Sequence, residues 1–242
     1  MEHDDRPPVA TFYSDATFAA RPTVTLSEAA SHHVRVKRLK IGDRVRLTDG
    51  MGHIALGALA SLKGDCDVSI ENVVDVARPA PIHLKVPVGD RDRMLMLAEK
   101  ATELGVQTWQ AIRFRRSMSV NPRGEGMAFA DKVRARMISA LEQSAGGWLP
   151  RQLPDVTPTD LGAPGTLILL DIDGEPLLRV ASDVKECALL FGPEGGLDGD
   201  ERYALIAAGW KPAKLAATTL RFETAGIAAA AVIRAAQMLG EN

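Results

Sequence analysis

The sequence predicts two architectures in one chain: a small antiparallel β domain, then an α/β domain with a mostly parallel sheet. Three observations carry this. Short period-two runs separated by glycine turns fill residues 9–77. At Arg78-Pro79-Ala80-Pro81 two prolines within four residues break any helix or central strand. Beyond that point apolar, strand-like runs alternate with stretches of helical period.

In the first part the runs are residues 23–26, 44–48, 53–56, 66–70 and 72–74, with turns at Ile41-Gly42-Asp43, Asp49-Gly50-Met51-Gly52 and Lys63-Gly64-Asp65. One helix is expected over residues 27–37, with Ser27 as its N-cap and Glu28 in its first turn. Residues 1–8 read as a disordered lead-in, 9–78 as the β domain and 79–242 as the α/β domain.

After the prolines, residues 82–88 read as a strand. Met94, Leu97, Ala98, Ala101 and Leu104 recur at helical spacing and stop at Gly105. A strand near 108–113 follows, then a long helix over about 127–144 and a proline-rich loop from 150 to 164. Apolar strands are expected at 166–170 and 187–190. Asp198 and Glu201 form the Asp-x-x-Glu start of a helix reaching about 208. A last strand near 214–217 and a helix over 223–239 complete the pattern.

Composition places the chain among ordinary globular proteins, at 46% hydrophobic and 25% charged residues. A net charge of -2 gives no global attraction to nucleic acid, yet the charge is unevenly spread. Six Arg and Lys face one acid between His32 and Arg46, and seven face two acids between Arg113 and Arg136. Such strips hold phosphates even on a near-neutral protein, or are simply solvated faces. Cys66 and Cys187 lack metal or disulfide spacing, which fits a reducing compartment. The polar, acidic first residues do not read as a signal peptide, and the apolar run 225–233 is too short to span a bilayer. A cytoplasmic protein with no membrane partner is expected.

The stretch Phe191-Gly192-Pro193-Glu194-Gly195-Gly196 joins an apolar strand to a helix start, where α/β proteins place ligands. Its spacing fits neither a dinucleotide fingerprint nor a P-loop, and Glu194 opposes a phosphate. A neutral or cationic ligand suits it better; an ordinary tight turn is the alternative. A second loop carries Arg221 and Glu223 around Phe222. Arg221 can stabilise developing negative charge, and Glu223 can orient it or accept a proton; a surface Arg beside a helix-start Glu is the plainer alternative. Seven alanines in the last helix permit close approach of another backbone, either the sheet or a second copy of the chain. His32 and His33, adjacent on a helix, do not share a face, and no cluster completes a metal site.

Taken in order, these motifs resemble the SPOUT superfamily of S-adenosylmethionine (SAM)-dependent RNA methyltransferases. More closely they resemble the ribosomal small-subunit RNA methyltransferase E family. The matching stretches are His32 to Asp43, Lys100 to Val106, Arg116-Ser117, Glu142-Gln143-Ser144, Gly192 to Leu197, and Leu220-Arg221-x-Glu223-Thr224. Ala216 and Phe222 stand where that family has Gly and Thr.

The resemblance implies a PUA-like β-barrel followed by a SPOUT α/β trefoil-knot domain, and a homodimer. It implies methylation of N3 of a uridine in the decoding region of 16S rRNA within the small ribosomal subunit, without metal. SAM would be bound by Leu170, Gly192, Pro193, Glu194, Gly195, Gly196, Leu197, Leu215, Leu220 and Thr224. Arg221 and Glu223 would act on the base, while Arg35, Arg38, Arg116 and Gln143 would contact RNA. A non-catalytic ribosome-assembly factor on the same fold, or a SPOUT enzyme for another RNA, are the alternatives.

Overall fold

Ser27 opens the first helix as the sequence predicts: its side chain accepts a hydrogen bond from Ala30 N at 3.2 Å. The computed structural model describes residues 7–18, 22–119 and 124–240. Most of the expected lead-in, and Arg123 of the second basic strip, therefore lie outside the described residues. The chain forms two units: residues 1–78 with 138–149, and residues 79–137 with 150–242.

The first unit holds β1 (Ala10–Tyr13), β2 (Thr23–Thr25), α1 (Glu28–Val36), β3 (Arg44–Thr48), β4 (His53–Ser61) and β5 (Asp67–Asp75). The five strands form one sheet in the order β1-β3-β4-β5-β2. It is not purely antiparallel, because β1 runs parallel to β3. The strands expected at 66–70 and 72–74 are one strand, β5, kept in register with β4 by an irregularity at Leu56/Gly57. Phe12, Val34, Val45, Leu47, Leu59, Cys66 and Val68 fill the core. Residues 138–149 are stitched to this unit. Glu142 accepts from Tyr13 N at 2.8 Å, Gly147 O accepts from Gly52 N at 2.8 Å, and Trp148 Nε1 donates to Val76 O at 3.0 Å.

The second unit comprises β6 (Ile82–Pro87), α2 (Arg91–Glu103), β7 (Thr108–Ile112), most of α3 (Met127–Ser144), β8 (Arg151–Val156), β9 (Thr166–Pro176), α4 (Leu177–Val180), β10 (Cys187–Leu190), α5 (Gly199–Ala207), β11 (Lys211–Lys214) and α6 (Phe222–Leu239). All six strands are parallel, in the order β11-β9-β10-β6-β7-β8. The central strands β6 and β10 are buried throughout; β10 is an unbroken apolar run, whereas β6 buries His83 and Lys85 between its apolar residues. Ala188 and Leu190 face a cluster with Leu205 and Trp210 of the α5 side. Helices α2 and α6 pack together on the sheet, with α6 against β6 and β10. Alone among the described helices, α6 is long and apolar enough to cross a membrane by length and composition. Here Phe222, Gly226, Ala229, Ala230 and Ile233 are buried inside the unit instead.

The short helix α4 and residues 171–176 of β9 had no counterpart in the sequence reading, and three further strands differ from it. β8 lies inside the expected proline-rich loop, and the last strand is 211–214, not 214–217. β8 contains Pro154 and β11 contains Pro212; both are edge strands, where the missing N–H interrupts no interior ladder. β1 carries no distinctive alternation, and its pairing partner lies 35 residues on.

Candidate active site

The fold places a cavity of about 310 Å³ at the carboxyl ends of β10 and β11, beside the irregular middle of β9. β10 is inserted between β9 and β6 although it follows both in sequence. The strand order changes direction here, which is where open parallel sheets bind ligands. The walls come from three segments: Leu170 to Ile172 in the irregular middle of β9, residues between Phe191 and Leu197 after β10, and residues from Ala213 to Leu220 at the end of β11 and beyond it, closed by Phe222 and Ala225 of α6.

Of the residues expected at a cofactor site, Leu170, Gly192, Pro193, Gly196, Leu197, Leu215 and Leu220 line this cavity. Glu194, Gly195 and Thr224 are not among its lining residues. Thr224 is exposed on α6. Gly196 has φ +70°, a conformation L side chains rarely adopt, so the turn is built for glycine. Ala216 and Phe222 both line the cavity, and it stays open with that ring, 3% exposed, in its wall.

Arg221 is the N-cap residue of α6, exposed, and its guanidinium has no hydrogen bond or ion pair among the described residues. Glu223, in the first turn of α6, is only 5% exposed. Its Oε1 lies 3.9 Å from Arg93 Nε, and its Oε2 is buried without a hydrogen-bond partner among the described residues. The carboxylate is therefore set beside Arg93 of α2, not Arg221. Arg93 also pairs through Nη1 with Glu194 of the glycine loop.

Asp171 and Arg202 also line the cavity and had no sequence signal. Arg202 Nε donates to Asp171 Oδ2 at 2.5 Å. Burial pushes the Asp171 carboxyl up, but the bonds from Arg202 and from Asp173 N–H outweigh it and hold it below its ordinary value. Elsewhere in the sheet, Lys85 is lowered by burial and donates to Gln110 Oε1 at 2.5 Å and Gly162 O at 3.0 Å. Burial pushes the Cys187 thiol up to about 12, which leaves it unreactive as a nucleophile.

The residues expected to meet RNA are spread over both units. Arg116 Nη1 donates to Gly195 O at 3.0 Å, so this side chain braces the glycine loop. Its neighbour Arg115 pairs with Asp198 at 3.1 Å. In the first unit, Arg35 donates to Gly64 O and Arg38 sits just past α1 with φ +57°. Gln143 lines a separate cavity of about 410 Å³ with Thr11, His33, Lys37, Ser139 and Glu142. Burial raises the Glu142 carboxyl against the pull of Tyr13 N–H, His33 and Lys37. Among the described residues no cluster of three His, Cys, Asp or Glu is placed to hold a metal ion.

Residues 77–234 match the RNA methyltransferase domain family, and residues 26–71 match the RNA methyltransferase PUA domain. The chain belongs to the RNA methyltransferase domain family. As a member of this family it pairs a PUA-like curled sheet with a parallel-sheet α/β domain of the SPOUT kind. It is 26% identical over 216 residues to the ribosomal RNA small subunit methyltransferase E of Mycobacterium bovis, covering 82% of this chain and 80% of that one. A Legionella pneumophila protein designated a methyltransferase and solved with bound SAM is 27% identical, with a TM-score of 0.83 over 93% of this chain and 97% of that one. A predicted RNA methyltransferase of Thermotoga maritima is 29% identical, with a TM-score of 0.73 over 93% and 97%. A ribosomal RNA small subunit methyltransferase E of Neisseria gonorrhoeae shares the fold at 24% identity and a TM-score of 0.80, over 93% and 97%.

Proposed function

We propose that this protein is a SAM-dependent methyltransferase of 16S rRNA, acting on N3 of a uridine in the decoding region during small-subunit maturation. The observation that carries the reading is the cavity at the ends of β10 and β11, beside the middle of β9, in a chain of the RNA methyltransferase family. The mycobacterial relative, itself named for ribosomal RNA of the small subunit, supports the choice of substrate.

The residues present fit SAM. The cavity is at the lower end of the ~300–1,000 Å³ range of small-molecule sites. Leu170, Leu197, Leu215, Leu220 and Phe222 offer apolar walls for an adenine ring, and the backbone around Gly192, Pro193 and Gly196 offers polar edges. Asp171, held ionised by Arg202, and Glu194 within the glycine loop suit a ligand that carries cationic groups rather than phosphates. The Legionella relative's bound cofactor supports this assignment.

When bound, SAM supplies an electrophilic methyl group on a sulfonium. The chain's residues supply the rest. N3 of uridine is a poor nucleophile while it carries its proton. Glu223 accepts that proton, directly or through water, with its unpartnered Oε2 as the receiving atom. Negative charge then spreads onto O2 and O4 of the base. Arg221, exposed and unpaired, faces that charge and stabilises it. The base must be unpaired or extruded to reach the site. Arg35, Arg38, Arg116 and Gln143 contact the RNA, and SAM contacts extend to Glu194, Gly195 and Thr224. The protein works as a homodimer in the cytoplasm, with the alanine-rich α6 at the contact between copies. Residues 9–78 form the RNA-binding domain and 79–242 the catalytic one, with 138–149 packed onto the former.

Two assays test the reading. Titration with SAM asks whether the cofactor binds; no binding at high concentration favours a ribosome-assembly factor on this fold. Methylation of assembled small subunits, naked 16S rRNA and tRNA, with the modified nucleoside identified, asks which RNA is used. Methyl transfer confined to tRNA, or to another atom of the base, overturns the assignment.

A further inference from the structure

The guanidinium of Arg93 touches two carboxylates that are distant in sequence. Nη1 pairs with Glu194 in the loop after β10, and Nε lies 3.9 Å from Oε1 of Glu223 in the first turn of α6. Its backbone is fixed as well, because Asp90, the N-cap of α2, accepts from Arg93 N at 3.0 Å. The Glu223 side chain is 7% exposed, and Arg93 is the one cation paired with it among the described residues. A carboxylate so buried is costly without a charge partner. Glu194 belongs to the loop whose Gly192, Pro193 and Gly196 line the cavity.

We propose that Arg93 is a positioning residue that fixes both halves of the site at once: the glycine loop through Glu194, and the proton-accepting carboxylate through Glu223. The inference rests on the cofactor reading given above and adds a residue to it. A guanidinium can serve two acids because its Nε and Nη1 edges point in different directions. A lysine carries all its donors on one atom, so in place of Arg93 it reaches Glu194 but does not span to Glu223 as well. Arg221 is thereby left free of Glu223 and available to the substrate.

The test separates the two halves. Glu194→Gln should weaken SAM binding about tenfold, the scale of a lost charge-assisted bond, and speed amide hydrogen exchange at residues 192–197. Glu223→Gln should lower kcat and leave SAM binding nearly unchanged. Arg93→Ala should do both, and Arg93→Lys should recover SAM affinity without recovering kcat. In the protein free of SAM, Arg93→Ala should also speed amide hydrogen exchange at residues 192–197. Urea unfolding checks that each variant is folded; if Arg93→Ala is not, Arg93→Lys and Glu194→Gln carry the test. Arg93→Ala with unaltered affinity, kcat and exchange overturns the inference. So does a set of variants that all shift affinity and kcat together. If the unaltered protein binds no SAM, the cofactor reading falls; the exchange measurement then still decides whether Arg93 holds the loop.

Discussion

The ring of Phe222 packs against the backbone of Gly89 so closely that a Cβ on residue 89 would lie 3.0 Å from Phe222 Cε1. Phe222 starts α6 and lines the cavity, so this contact ties the position of the ring to the segment between β6 and α2. Gly89→Ala must displace the ring. The expected cost is about 1–3 kcal/mol, as for other overpacked sites. A several-fold weaker SAM affinity should accompany it, read by urea unfolding and calorimetry. Unchanged affinity would show that the ring does not bound the bound ligand.

Arg221→Ala removes a side chain with no structural partner among the described residues. Its thermal stability should match that of the unaltered protein, and SAM should still bind. Turnover should fall about 10²-fold or more, the scale of losing one preorganised charge. Near-normal turnover in single-turnover assays would take Arg221 out of the mechanism.

Glu142 gives a pH signature. Burial raises its carboxyl above the value in the unfolded chain. A group raised on folding adds stability that is fully present below its unfolded pKa and is lost as pH rises through the folded one. The stability of the unaltered protein relative to Glu142→Gln should therefore fall as pH rises from about 4 toward 7. Urea titrations at stepped pH measure this, and parallel curves for the two proteins would contradict it.

Asp198 caps α5. It accepts from Asp200 N at 3.0 Å, and Glu201 accepts from Asp198 N at 3.2 Å, closing a reciprocal box. Asp198→Ala should cost about 1 kcal/mol. In a chain of this size that lowers Tm by about 2–4 °C. Because the helix follows the glycine loop and Arg115 also pairs with Asp198, a modest loss of SAM affinity should follow.

Local signals in the sequence were legible where local chemistry decides structure. The Ser27 and Asp198 caps, the buried runs of β6 and β10, and the glycine turn after β10 are all read from neighbours a few residues apart. Seven of the ten residues expected to hold cofactor line one cavity, because strand ends and their loops follow from the alternation of strands and helices. What was not legible depends on distant partners. Pro154 and Pro212 disguised β8 and β11, since only the finished sheet reveals that both are edges. Nothing close to Arg93 in the sequence marks its two acidic partners, which lie 101 and 130 positions away. The Asp171–Arg202 pair is hidden for the same reason.

The return of residues 138–149 to the first unit has a consequence for biosynthesis. A nascent chain released from the ribosomal tunnel up to residue 78 has every strand of the N-terminal sheet but not Glu142, Gly147 or Trp148, the partners of Tyr13, Gly52 and Val76. That module must wait for some seventy further amino acids before these backbone donors and the Val76 carbonyl are satisfied. Cutting the gene at the proline pair would thus yield an incomplete fragment on one side and a stray helical tail on the other.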